Sequence, residues 1–271
     1  MFRKPFFLLA FIIIALSSCS SKHAKIVKST DNEMKYEVAM DLYEHKDYNR
    51  ALELFDLLQS AFRGTPKAEE VAYYTAQCYY NTEDYTIAGY YFKRFYQNFP
   101  YSSRAEECLY LNGYCYFLDS PRSSLDQANT QSAIKELQLF INTYPKSERV
   151  QEANRLIDEL RAKLEYKDYS ICMMYYRMQD YMACIASFQN LMKNYPGTER
   201  REEIMYTMSK AYYEYAEHSI LEKKRERYEA AIEMYNNLLY LYPESVYLAS
   251  LEIVNTKARK KLEFISNNHG L

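Results

Sequence analysis

The 271-residue chain contains no tryptophan, only five glycines and only seven prolines. So few chain breakers over this length exclude a loop-rich or many-turned architecture and leave long helices as the default. A cationic excess is missing too: 34 basic residues face 36 acidic ones, so no basic field draws a nucleic acid. The four histidines, His23, His45, His218 and His269, are dispersed, and none has a second metal-type residue at ligand spacing. No Cys-x-x-Cys motif, phosphate loop or nucleophile elbow occurs, so the sequence supports neither an enzyme nor a cofactor. What the chain does have is 31 tyrosines, an aromatic supply that must be packed or displayed.

At the N-terminus, Arg3 and Lys4 precede an apolar run from Phe6 to Leu16. That run is too short to span a membrane and fits a secretory signal over residues 1–18. It ends Leu16-Ser17-Ser18-Cys19, which resembles a bacterial lipobox and implies lipid attachment at Cys19. One acyl chain binds membranes only marginally, at about 0.8 kcal/mol per buried CH₂, whereas the two or three chains of a lipoprotein amount to a permanent anchor. Ser20 rather than aspartate follows Cys19, and Ser20-Ser21-Lys22-His23 carries no acidic cluster. By resemblance to bacterial sorting, this implies the outer membrane, facing the periplasm. Residues 19–32 are polar and read as a flexible tether. Without Arg3 and Lys4 the net charge is about −4.

The rest of the chain repeats. One frame runs from Asp84 to Ser102 and closes Phe99-Pro100-Tyr101-Ser102; it returns closing Tyr144-Pro145-Lys146-Ser147, Tyr195-Pro196-Gly197-Thr198 and Tyr242-Pro243-Glu244-Ser245, and a weaker copy precedes it. Proline halts one helix, and the Ser or Thr two residues later is expected to cap the next. Second helices align on Ala51, Ala88, Ala133, Cys184 and Ala231. Four residues on stand Phe55, Phe92, Leu137, Phe188 and Tyr235, and three further Leu58, Phe95, Phe140, Leu191 and Leu238, which makes one apolar stripe. First helices carry a small residue at Ala39, Ala76, Gly113, Cys172 and Ser209, letting paired helices approach closely.

This pattern resembles the tetratricopeptide repeat, a helix-turn-helix unit of about 34 residues. The expected fold is therefore all-α: an α-solenoid of five such repeats with a C-terminal capping helix, Val246 to Ile265. Repeats 1–3 occupy 33–146, repeats 4–5 with the cap occupy 147–265, and 266–271 form a frayed tail. Insertions lengthen the turn of repeat 3 over Leu118 to Asn129 and that of repeat 5 over Glu217 to Arg227. A helical stripe of Val150, Ala153, Ile157, Leu160 and Leu164 predicts one long linking helix from about Glu148 to Met178.

Beyond Cys19 stand Cys78, Cys108, Cys115, Cys172 and Cys184. Cys172 and Cys184 occupy small-residue positions and read as core, though they face each other in such a hairpin and an oxidising compartment permits a disulfide. The distinctive constellation is aromatic. First helices place an aromatic three residues before the small residue and another seven further on, hence on one face. In the N-terminal half these are Tyr36, Tyr43, Tyr73, Tyr80, Tyr110 and Phe117, joined by Tyr114. In the resembled fold such positions line the concave groove, so this ladder is a candidate surface for an extended peptide, or for a stacked sugar. Tyrosine is also common there as plain scaffold, and both readings stand.

Over the whole mature chain the lipobox, five repeats and placed inserts resemble the BamD lipoproteins of the β-barrel assembly machinery. The repeat-3 segment Asp126-Gln127, Thr130, Ala133, Phe140, Ile141, the long linking helix and the Tyr195-Pro196-Gly197-Thr198 closure carry the likeness. It implies a non-enzymatic partner of a BamA-like barrel protein, with C-terminal repeats, roughly Glu165 to Leu262, docking on a POTRA domain. The N-terminal repeats would receive the aromatic-ended strand of unfolded outer-membrane proteins. Two alternatives share the repeats: a lipoprotein coordinating cell-wall synthesis with division, and a glycan-binding lipoprotein on the SusD plan.

Overall fold

The computed structural model describes residues 23–269; the signal segment 1–18 and the lipid-attachment candidate Cys19 lie outside the described residues. Eleven helices follow a short helical segment at 23–27. Repeat 1 pairs α1 (Asn32–Glu44) with α2 (Tyr48–Ala61), repeat 2 α3 (Lys67–Asn81) with α4 (Tyr85–Asn98), and repeat 3 α5 (Ala105–Leu118) with α6 (Ala128–Thr143). Repeat 4 pairs α7 (Val150–Arg177) with α8 (Tyr181–Asn194), repeat 5 α9 (Arg201–Glu217) with α10 (Leu221–Leu241), and α11 (Leu248–His269) caps the array. The fold is an all-α array of tetratricopeptide helix-turn-helix repeats.

All fifteen stripe positions predicted on the second helices are buried, from Ala51 through Leu238, and the small residues Ala39, Ala76, Gly113, Cys172 and Ser209 are buried opposite them. The smallness has a direct cause in repeat 3. A Cβ on Gly113 would stand 2.9 Å from the backbone nitrogen of Leu137, so α5 and α6 touch where the side chain is missing. In repeat 5, Ser209 instead donates from Oγ to the Ala231 carbonyl at 2.8 Å, tying α9 to α10 through a buried bond.

Three of the turns share one construction. Lys46, Glu83 and Gln179 adopt left-handed backbone, with φ of 63°, 63° and 62°. Around Glu83, its own N–H donates to the Tyr80 carbonyl at 3.1 Å and that of Asp84 to Tyr79 at 3.0 Å, the paired closure of a Schellman ending. An aspartate then opens the next helix; Asp47 and Asp180 accept from the backbone N–H groups of Arg50 and Ala183 at 3.4 and 3.1 Å. The repeat-3 turn is longer, as expected, and is organised by buried Gln127. Its Nε2 donates to the carbonyls of Arg122 and Leu125 at 3.0 Å each, while its Oε1 accepts from Thr130 at 2.7 Å.

The chain divides into two compact units, Met1–Arg161 and Ala162–Leu271. The division falls inside α7 rather than ahead of it, because Ala153, Leu156, Ile157 and Leu160 complete the core that Leu109, Ala133, Leu137 and Phe140 begin in repeat 3. In the second unit Tyr169, Cys172, Cys184, Phe188, Ile204 and Met208 build the core of repeat 4 against α9. Cys172 and Cys184 are buried there as free thiols, not a disulfide, and burial pushes the Cys184 thiol up to about 12.

Local differences from the sequence reading have identifiable causes. Of the segment read as a tether, residues 23–27 are helical, with Ile26 and Val27 packed on the repeat-1 core and His23 meeting Glu53 at 2.8 Å, while 19–22 lie outside the described residues. The charged stretch ending at Arg227 does not lengthen a turn. From Leu221 onward it lengthens α10, supported by i, i+3 and i, i+4 contacts of Lys223 with Glu226 (3.2 Å) and Arg225 with Glu229 (3.8 Å). At the far end α11 remains helical beyond Ile265 to His269, and 270–271 lie outside the described residues. No helix among the described residues is long and apolar enough to cross a membrane.

Candidate functional site

The seven ladder residues are all half-buried on the first helices of repeats 1–3. They fall into two groups by what their hydroxyls and ring faces meet.

Tyr36 and Tyr73 are engaged by the following repeat. Tyr36 donates its hydroxyl to Glu70, and Lys67 stands over its ring at 4.8 Å. Tyr73 donates to Glu107 at 3.3 Å and takes Arg104 over its ring at 4.4 Å. Tyr110 takes Arg149 in the same way at 5.2 Å, and in the second unit Tyr169 bonds Glu203 beneath Arg200, at 5.0 Å from its ring. Each is a clamp: a tyrosine, then a cation 31 residues on and a glutamate 34 residues on where no insert intervenes, although at Tyr110 only the cation engages the ring, because Glu152 accepts from Arg155 instead. A cation over a ring face is worth about 0.5–1 kcal/mol when exposed, and more as water is excluded. Burial first, and then the nearby carboxylate, pushes the Tyr73 hydroxyl up to about 12, so it stays a neutral donor.

The clamp partners were overlooked in the sequence reading, although a signal for them exists. Three punctuation residues are followed two residues later by the cation and three further by Glu: Ser102, Arg104, Glu107; Ser147, Arg149, Glu152; Thr198, Arg200, Glu203. The punctuation residue itself does not cap at the N-cap position. It accepts from the backbone N–H two residues on, at 3.0–3.1 Å for Ser102, Ser147 and Thr198, and donates backward to Glu69, Glu106 and Glu165 at 2.6 Å each. One hydroxyl thus turns the chain and locks it to the preceding repeat.

Tyr43 packs at 4.9 Å against Tyr74, and burial pushes its hydroxyl up to about 12. The remaining residues converge between α3 and α5. Tyr110, Tyr114 and Phe117 form one run of near-parallel rings, centroids 5.8 Å apart at each step and tilted by 12° and 13°. Tyr80, wedged against Tyr85 and Phe92 at 5.7 and 6.2 Å, is raised by burial first and then by the nearby Tyr114 and Tyr110. Among the described residues the hydroxyls of Tyr80, Tyr110 and Tyr114 have no hydrogen-bond partner. Three free donors beside a stacked aromatic run can take an aromatic or backbone-bearing ligand with its carbonyls outward. A separate cavity of about 700 Å³ lies between α2 and α4, lined by Arg63, Arg94, Phe95 and Phe99 among others, and no ladder residue borders it. No three His, Cys, Asp or Glu among the described residues are placed to hold a metal ion.

The TPR2AB domain of yeast Sti1 in its pHSP90 complex is similar over 85% of this chain and 84% of that one, at 11% identity and a TM-score of 0.38. The P58(IPK) TPR domain is similar over 91% of this chain and 63% of that one, at 14% identity and a TM-score of 0.40. Neither likeness bears on function. No curated protein matches the chain. A family model described as YfiO, outer membrane lipoprotein, matches residues 28–227, which takes in the ladder, the clamps of Tyr36, Tyr73, Tyr110 and Tyr169 and the long helix. The chain belongs to that outer membrane lipoprotein family.

Proposed function

We propose that the protein is a non-enzymatic, lipid-anchored scaffold of β-barrel assembly, held through Cys19 on the periplasmic face of the outer membrane. Its N-terminal repeats receive the aromatic-ended strand of unfolded outer-membrane proteins, and its C-terminal repeats dock a BamA-like barrel protein through a POTRA domain. Membership of an outer membrane lipoprotein family supports the location, and a tetratricopeptide array supports protein binding. The observation that carries the substrate side is the stacked run Tyr110, Tyr114, Phe117 with the free hydroxyls beside it. Tyr80, Tyr110, Tyr114 and Phe117 form the receiving surface in this reading, continued by Tyr43, while Tyr36 and Tyr73 hold the register of the repeats that carry it.

The test is binding of a peptide with an aromatic C-terminal residue to the mature chain. Replacing Tyr80 and Tyr114 together with alanine removes two ring contacts of about 0.5–1.5 kcal/mol each, so affinity falls roughly tenfold while helical circular dichroism is kept. Undiminished affinity in the folded double variant would sink the substrate surface. Purification of the anchored chain from outer membranes, with a BamA-like barrel protein in the eluate, tests the partner. Loss of the lipid mass in Cys19→Ala tests the anchor.

A further inference from the structure

Four frames place a glutamate near their tyrosine, bonded to its hydroxyl in three of them, and the fifth places none. Where the earlier frames place a cation and a glutamate after the punctuation residue, the last one, beginning at Ser245, places Tyr247 and Ser250. Tyr247 stacks on Tyr206, the aromatic three residues before Ser209 in repeat 5, with centroids 4.6 Å apart and planes tilted by 24°. Ser250 Oγ stands 3.4 Å from the Tyr206 hydroxyl, in the glutamate's place. The cation arrives from a different position: Lys210, one turn along α9, places Nζ 3.3 Å from that hydroxyl and 5.1 Å from the ring centroid. Lys210 is half-buried, and its only polar partners among the described residues are the hydroxyls of Tyr206 and Tyr176.

Tyr176, Tyr206, Lys210 and Tyr247 border a small cavity of about 120 Å³ in the second unit, with Met173 also in its lining, and Ser250 stands outside that lining beside the Tyr206 hydroxyl. Glu203 also lines it, but that carboxylate is already taken by Tyr169 in the fourth clamp. The cavity therefore holds a partly desolvated ammonium with no ion pair, two hydroxyls able to donate, and aromatic walls. A half-buried cation of this kind gains most from an anion that completes its shell.

We infer that the fifth clamp is a docking site for a carboxylate side chain of a partner protein, which supplies the glutamate that the last repeat lacks. The partner's Asp or Glu accepts from Lys210 Nζ and from the Tyr206 and Ser250 hydroxyls, while Tyr247 flanks it. The Tyr206 hydroxyl is lowered, by its bond to Ser250 first and by Lys210 after burial, whereas its four counterparts are raised. That is the sign expected of a clamp whose carboxylate is missing. The inference refines the reading that the C-terminal repeats dock a partner, and its test needs no partner in hand.

The probe is a short fluorescent polyglutamate peptide, with polyglutamine of equal length as control, titrated by anisotropy against the mature chain. Polyglutamate binds and polyglutamine does not. Lys210→Met weakens binding about tenfold or more, the loss expected of a charged hydrogen bond, whereas Lys193→Met, an exposed cation on α8, leaves it unchanged. Ser250→Glu restores the internal carboxylate, so it abolishes polyglutamate binding, raises the Tyr206 hydroxyl and does not lower thermal stability. Equal affinity for the two peptides, or unchanged polyglutamate affinity in either Lys210→Met or Ser250→Glu, overturns the inference. Success here with no barrel protein co-purifying from membranes would instead count against the assembly reading alone.

Discussion

Gly113 and Tyr73 fix their repeats by opposite means, one by having no side chain and the other by what its side chain reaches. A Cβ at Gly113 meets the backbone of Leu137, which cannot rotate away, so Gly113→Ala must push α5 and α6 apart. Overpacking costs about 1–3 kcal/mol, and alanine's better helix propensity returns up to about 1 kcal/mol of that. The variant should lose roughly 1–2 kcal/mol in urea unfolding, and an unchanged midpoint would show that the helices have room. Tyr73 ties repeat 2 to repeat 3 through Glu107 and Arg104. Tyr73→Phe removes two hydrogen bonds, the one it donates to Glu107 and the one it accepts from Gln77 Nε2 at 2.9 Å, together worth about 1–2 kcal/mol at neutral pH. The pH dependence follows from the hydroxyl, raised to about 12 against about 10 in the unfolded chain. A group whose folded value is raised contributes its stability in full below the unfolded value and loses it as pH climbs through the folded one. The stability gap between wild type and Tyr73→Phe should therefore narrow from pH 10 to pH 12. A constant gap would mean that the hydroxyl titrates as in the unfolded chain.

At the scale of the element, helix identity was legible because each second helix repeats one stripe, small residue, then large at four and seven, and the burial of every such position follows from that period. The turns were legible only in part. An aspartate before each Tyr marked where the second helix of repeats 1, 2 and 4 begins, but nothing in Lys46, Glu83 or Gln179 announces left-handed backbone, since the usual signal is glycine. Left-handed backbone costs a non-glycine residue about 1–2 kcal/mol, partly offset by glycine's greater entropy loss on folding. Glu83→Gly should thus stabilise the chain by about 0.5–1 kcal/mol, read as a raised thermal midpoint; a fall would mean that the Glu83 side chain contributes more than its backbone costs. The ladder was legible for the same reason as the core, its i, i+7 spacing. The division of labour within it was not, because the partners that occupy Tyr36 and Tyr73 lie 31 and 34 residues away, beyond any single-helix pattern. Only alignment of the stretches after each punctuation residue brings Lys67, Arg104, Arg149 and Arg200 into one column.

Across the whole molecule, each repeat in a unit is held by its neighbours: by the core stripe, by a clamp running forward and by a punctuation hydroxyl running back. Contacts of this nearest-neighbour kind make stability a sum of local terms, so damage spreads only as far as the next interface. The cap is where this can be measured most cleanly. Leu251 of α11 is fully buried with Met205, Tyr235 and Leu238, closing the apolar face that repeat 5 would otherwise expose. Leu251→Ala opens a cavity there at a cost of about 2–5 kcal/mol. Because α9 and α10 lose their closing layer, amide hydrogen exchange should accelerate along α9, α10 and α11. Along α1 to α6, in the first unit, protection should be unchanged, since none of those helices shares a cluster with Leu251. Faster exchange in α1 to α6 of the variant would show that the array opens as one cooperative body, and the clamps would then have to be counted as coupling terms reaching across repeats rather than as local ones.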